Sequence, residues 1–188
     1  MIRAFVGAGG KTTLIHRQAE QYRGTGKTVF VTTSTHMFIE PDTLLTDDPA
    51  VILQTLQKSG YAMAGIPAGE KIKALSGKTF AAVSAAADVV LVEADGSKHM
   101  PLKYPNATEP VIPPGTEEII LVWGPHGLGR PARQVCHRLE LVTACLGIDG
   151  DTPITREHVS QLLEKGYLKP LKQQYPDAKI EVYPKLFQ

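Results

Sequence analysis

Short runs of β-branched and apolar residues alternate along the chain with longer segments whose apolar positions recur at helical spacing. Ile2–Val6 and Thr28–Thr33 are dense in strand formers, and Val89–Glu93 is almost wholly apolar, as in a strand buried on both faces. Glu118–Trp123 and Ile180–Tyr183 repeat the pattern, and Tyr61–Ala64 is compatible with a short strand. Between them, Lys11–Arg23 carries Leu14, Ile15, Ala19 and Tyr22 on one helical face and ends at Gly24-Thr25-Gly26. Asp48-Pro49 opens a second helix that runs to Lys58, where Ser59-Gly60 stops it. Thr79–Ala87, Gln134–Leu146 and Thr155–Lys165 read as further helices, Pro67-Ala68-Gly69 as a turn, and Pro101–Gly115 as an irregular proline-rich loop. Strands alternating with helices predict an α/β fold in three layers, with a mainly parallel sheet, helices on both faces and a helical C-terminal part.

The 188 residues suit one domain over 1–188, with 134–188 as a helical C-terminal subregion. A formal net charge of +1 gives no overall pull toward nucleic acid or an anionic membrane, and no apolar run reaches the length of a membrane span. The opening MIRAFVGAGG has no signal-peptide h-region or cleavage site. Cys136 and Cys145 are not spaced as a C-x-x-C motif and lie in a segment of helical periodicity, so buried thiols in a reduced, cytoplasmic protein are expected.

The chemistry starts at Gly7-Ala8-Gly9-Gly10-Lys11-Thr12-Thr13, between the first strand and the first helix. Glycines in such a turn let backbone N–H groups approach phosphates, and the helix N-terminus adds its free donors and dipole. Lys11 then supplies a charge for the β- and γ-phosphates, and Thr12 a hydroxyl for Mg²⁺. The loop is a short form of the phosphate-binding pattern, because the first consensus glycine falls on Phe5. ATP or GTP with Mg²⁺ is therefore the expected ligand pair. No Asn-Lys-x-Asp string selects guanine.

Glu93 and Asp95, at the end of the apolar Val89–Glu93 strand, are the expected metal or catalytic acids together with Lys11, and which of the two carboxylates holds the metal is open. Thr32–His36 puts hydroxyls at the end of the second strand, where Thr33 is a candidate for Mg²⁺ or a γ-phosphate. Between Glu118 and Glu140 there is no acidic residue, while Arg130, Arg133 and Arg138 lie there with His126 and His137. Arg130 and Arg133 are candidates for an arginine finger or for a second phosphate site.

VGAGGKTT (6–13), VTTSTH (31–36) and VEADGSKHMPLKYP (92–105), with Glu109–Pro113 and Val135–Arg138, resemble the YqeC-type accessory proteins of selenium-dependent molybdenum hydroxylases. The resemblance covers most of residues 4–165. It implies a role in maturing such a hydroxylase, with the enzyme or its pterin cofactor as a partner. It adds Lys98 and Lys103 as anion contacts, keeps Lys11 and Thr12 for nucleotide, and keeps Glu93 and Asp95 as acids. A Mur-like ATP-dependent ligase fragment and a nucleotide-gated delivery module with little turnover are the competing expectations. The oligomeric state stays open.

Overall fold

The computed structural model describes residues 1–186. Strands β1 (Ile2–Gly7), β2 (Val29–Thr33), β7 (Val89–Glu93), β9 (Thr116–Val122) and β11 (Lys179–Tyr183) run parallel with β4 (Thr43–Leu45) and the first part of β5 (Tyr61–Ala68). The path across the sheet is β11-β9-β1-β7-β2-β5, with β4 also on β5, and it continues into β6 (Lys71–Lys73) and β3 (His36–Phe38), both of which pair antiparallel.

The alternation of side chains along each central strand divides the core in two. Phe5, Val89, Leu91, Ile120 and Val122 face Leu14, Ile15 and Ala19 of α1 (Lys11–Gly24), which covers that face. On the opposite face, Phe30, Val90 and Val92 pack against α2 (Pro49–Ser59) and α3 (Gly77–Ala86). Ala4, Val6, Ile119 and Leu121 pack on that same face against a C-terminal group. This group comprises α4 (Ala132–Val135), α5 (Leu139–Leu146), α6 (Arg156–Leu163) and α7 (Lys169–Gln174). Each fully buried Val, Leu or Phe in these layers stabilises the fold by about 1.5–3 kcal/mol relative to exposure. The expected three-layer α/β arrangement is thus present, with α1 facing the two helical groups across the sheet. No described helix is long and apolar enough to cross a membrane.

Local signals set several boundaries. Asp48 caps α2 by accepting from the Ala50 amide at 2.9 Å, with Pro49 at the first helical position. Gly60 closes it in the left-handed region at φ 70. Thr155 and His158 form a reciprocal cap at the start of α6.

Three segments differ from the sequence expectation. Tyr61–Ala64 is only the first half of an eight-residue strand, which passes Pro67 and turns at Gly69 into β6. Gln134–Leu146 is not one helix. Cys136–His137 form β10, which pairs with Leu102–Lys103 (β8) inside the proline-rich loop, and Arg138 takes a left-handed φ of 60 before α5 starts. Cys136 is accordingly a buried strand residue, and both cysteines are free thiols. The helix expected over Thr155–Lys165 continues through a wide π turn at Glu164–Leu168 into α7. Pro170 has no N–H for the carbonyl four residues earlier, and the widened turn precedes it.

Candidate functional site

The glycine turn is shaped by what it must pass. A Cβ on Gly9 would stand 2.5 Å from Gly124 Cα and 2.8 Å from the Pro101 carbonyl oxygen, and Gly9 has φ +77. Gly10 precedes α1 at φ +112, a conformation L-residues rarely adopt. Gly7 and Ala8 are buried at the end of β1, and the Ala8 amide donates to the Val122 carbonyl at 2.8 Å. The first amides of α1 have no partner within the helix and are available to a ligand in the turn. Lys11, 4% exposed, folds back to donate to the Gly7 carbonyl at 2.7 Å. Thr12 donates its hydroxyl to Glu93 Oε2 at 2.9 Å, and Thr13 is exposed at the mouth.

Glu93 and Asp95 diverge. β7 ends at Glu93, so the period-two facing of a regular strand does not carry over to Asp95. Glu93 lines the open cleft. Burial raises its carboxyl above the ordinary range, and Lys11 and the Thr12 hydroxyl act in the opposite sense. Asp95 is fully buried and does not line the cleft. Its Oδ2 accepts from the Gly7 amide at 3.0 Å and from the Tyr167 hydroxyl at 3.1 Å. Lys103 Nζ stands 3.2 Å from Oδ2, and Lys11 Nζ 3.1 Å from Oδ1, which has no partner in hydrogen-bond geometry. The expectation that Asp95 serves as a metal or catalytic acid is therefore corrected, because its oxygens hold the cradle from behind.

The network continues inward. Buried Lys103 donates to the Gly96 carbonyl at 2.5 Å and to Glu109 Oε2 at 2.6 Å. Arg138 forks onto the two Glu109 oxygens at 2.7 and 3.0 Å, the bidentate geometry that suits guanidinium. Burial pushes the Glu109 carboxyl up, but the Arg138 and Lys103 hydrogen bonds and charges outweigh it and hold the value at about 2. Tyr167, brought inward by the π turn, has its phenol pushed well above its ordinary value by burial and by the Asp95 charge. Lys103, expected to contact an anion, is instead committed to this buried set.

The cleft has a volume of about 500 Å³. Gly9 to Thr13, Glu93, Lys98 and His126 line it, with residues of the antiparallel β3–β6 pair. Thr33 does not line it. Its hydroxyl donates to the Glu93 carbonyl at 2.8 Å and accepts from the Thr35 amide, so the residue fastens β2 to β7. Arg130 and Arg133 also lie outside it and are exposed, and Arg133 pairs with Asp151. Neither arginine sits where a finger or a second phosphate contact in this cleft needs it. Among the described residues, no three His, Cys, Asp or Glu side chains cluster as a metal cage. The Thr12–Glu93 pair fits Mg²⁺ in a different way, as one hydroxyl and one carboxylate completed by phosphate oxygens and water. Sequence reasoning missed Tyr167, and it assigned no role to Glu109. Glu109 reaches Lys103 from six residues further along the loop and lies in one of the stretches that carry the family resemblance, whereas Tyr167 reaches Asp95 from 72 residues away, beyond the helix expected over Thr155–Lys165, and had no signal.

Fold and site together define a three-layer α/β protein, with a glycine-lysine-threonine turn and a strand-end carboxylate on one cleft. The chain belongs to the YqeC family: a family model described as YqeC protein matches residues 3–140. The "Uncharacterized protein YqeC" of Escherichia coli (strain K12) is 34% identical over 158 residues, which cover 79% of this chain and 62% of that protein. The chain thus spans less than two thirds of that relative's length. No solved structure matches.

Proposed function

We propose that this chain is a cytoplasmic Mg²⁺-dependent nucleotide-binding protein that hydrolyses ATP or GTP. The observation that carries the reading is the convergence of Lys11, Thr12 and Glu93 on the glycine turn at the mouth of one cleft. The α1 amides and Lys11 bind the phosphates, and Lys11 leaves the Gly7 carbonyl to do so. Thr12 and Glu93 would hold the cation, one by its hydroxyl and the other as a carboxylate. Mg²⁺, when bound, neutralises charge that develops on the phosphoryl oxygens. Asp95 keeps Gly7 and Lys11 in register without touching ligand.

The family resemblance supports an accessory role in maturing selenium-dependent molybdenum hydroxylases, with the hydroxylase or its pterin cofactor as partner. Calorimetry with ATP and GTP, with and without Mg²⁺, tests the nucleotide reading. Lys11→Ala is expected to weaken binding by about 2–3 kcal/mol, and Glu93→Gln to reduce Mg²⁺-dependent phosphate release more than binding. Equal affinity in the Lys11→Ala variant and the parent sinks the reading. For the accessory role, hydroxylase activity in cells lacking the protein is expected to return with the parent chain and not with Lys11→Ala.

A further inference from the structure

One wall of the cleft is left unused by a nucleotide bound as proposed above. The antiparallel β3–β6 pair supplies Phe38 and Lys71 to it, and the turn after β7 supplies Lys98 and His99. Phe38 is 43% exposed, yet its ring stacks on His99 with centroids 5.3 Å apart and planes 24° from parallel. Lys71 Nζ stands 4.5 Å from the Phe38 centroid. Lys98 and His99 both hold left-handed backbone, at φ 48 and 61, where side chains other than glycine are uncommon and cluster at binding sites. Among the described residues, no carboxylate forms an ion pair with Lys71 or Lys98. Glu93 is the one carboxylate among the described lining residues, so the wall is cationic as well as aromatic.

Sheet order gives the wall its side. β7, which ends in Glu93, lies between β1 and β2, and the β3–β6 pair lies beyond β2 and β5. β9, whose following loop brings His126 to the cleft, is on the other side of β1. Thr12 and Glu93 would hold a cation beside the terminal phosphates. The nucleoside therefore leaves the cradle toward His126, and the aromatic wall faces the terminal phosphate. Lys71 lines the same cleft as Glu93 and comes from β6, on that same side.

We propose that the Phe38–His99 wall is a second subsite beside the terminal phosphate, for a planar aromatic or heteroaromatic anion whose rings lie on the pair and whose negative group meets Lys71 and Lys98. Aromatic faces suit stacking partners of any ring type, and the two ammonium groups select a carboxylate or phosphate substituent. The orientation rests on the nucleotide reading given above, while the subsite itself can be measured without nucleotide.

The test uses quinoline-2-carboxylate as probe, with cyclohexanecarboxylate as the non-aromatic control, titrated into the full chain with and without saturating Mg²⁺-nucleotide. The expected result is probe binding in both states and about tenfold weaker binding in Phe38→Ala, His99→Ala and Lys71→Ala. Phe38→Ala is expected to change probe affinity about tenfold more than nucleotide affinity. No probe binding to the parent, equal binding to the three variants, or equal affinity for the non-aromatic control overturns the proposal. Competition between probe and nucleotide also overturns it, because the wall then holds the base of the nucleotide. Failure of nucleotide to bind, with the probe pattern intact, removes the proposed function and leaves the subsite standing.

Discussion

The two sides of Lys11 are built from the same residue types to opposite ends. Behind it, Asp95, Lys103, Glu109, Arg138 and Tyr167 are buried or partly buried, and apart from Asp95 Oδ1, which faces Lys11 without hydrogen-bond geometry, their polar groups are engaged with one another or with backbone. In front of it, Glu93, Lys71, Lys98 and His99 face a cleft of about 500 Å³, and the lysines have no carboxylate within pairing distance among the described residues. Residue identity does not distinguish an acid that holds the scaffold from one that meets a ligand. Burial and the number of committed partners do. A saturated buried cluster fixes geometry, whereas an unsaturated, half-open one is free to exchange its water for ligand.

The sharpest break is Asp95→Ala, which leaves the buried Lys103 without one of its two carboxylates and Gly7 and Tyr167 without an acceptor. Loss of one partner of a buried pair costs about 3–5 kcal/mol, and urea unfolding is expected to show it. An Asp95→Ala chain as stable as the parent removes the distinction between the two sides. Next is Lys11→Ala, which loses about 2–3 kcal/mol of nucleotide affinity by calorimetry. Its effect on stability is expected to be smaller, because Lys103 and Tyr167 remain on Asp95.

Acid titration separates the sides without that loss of packing. The Glu109 carboxyl is held at about 2, below its ordinary 4.5, so it stabilises the fold above pH 4.5 and loses that contribution as pH falls toward 2. Stabilities of the parent and Glu109→Gln from urea unfolding are expected to differ by about 2 kcal/mol at neutral pH, below the full linkage figure of about 3.4 kcal/mol because the pair is partly solvated, and to converge across that window. Glu93 has the opposite sign. Its folded value is raised, so ionising it costs stability as pH rises past 4.5. Glu93→Gln is expected to melt slightly higher than the parent at neutral pH, with the difference vanishing in acid. The smallest effect is that of Arg133→Ala, an exposed ion-pair partner of Asp151, at under about 1 kcal/mol in stability and none in nucleotide affinity.

The turn and Glu93 on the front side were legible in the sequence because their signals are local, whereas Lys71 and His99 carried none. The turn Gly7–Thr13 joins a strand to the helix that follows it, and Glu93 ends an apolar strand. The back side was not, because Asp95 is defined by Lys103, Glu109 and Tyr167, which arrive from the proline-rich loop and from a π turn. The same reason undoes the acid-free stretch from Glu118 to Glu140. Arg133 and Arg138 find carboxylates at Asp151 and Glu109, both outside the window in which acids were counted. Helical periodicity over Gln134–Leu146 failed because Cys136 and His137 pair with β8, and a pattern of apolar positions does not register a two-residue strand.

Trp123 is the sole tryptophan of the chain. It is 2% exposed, follows β9, and donates its indole N–H to the Pro184 carbonyl at 2.8 Å. The next residue, Gly124, is the one that Gly9 passes at close range. The protein therefore carries a built-in optical reporter at the junction of the glycine turn and β11. A blue-shifted emission is expected from the folded chain, and peeling β11 away wets the indole and moves it to the red. Ligand that reshapes the Gly9–Gly124 contact can be followed by the same light, with no label attached.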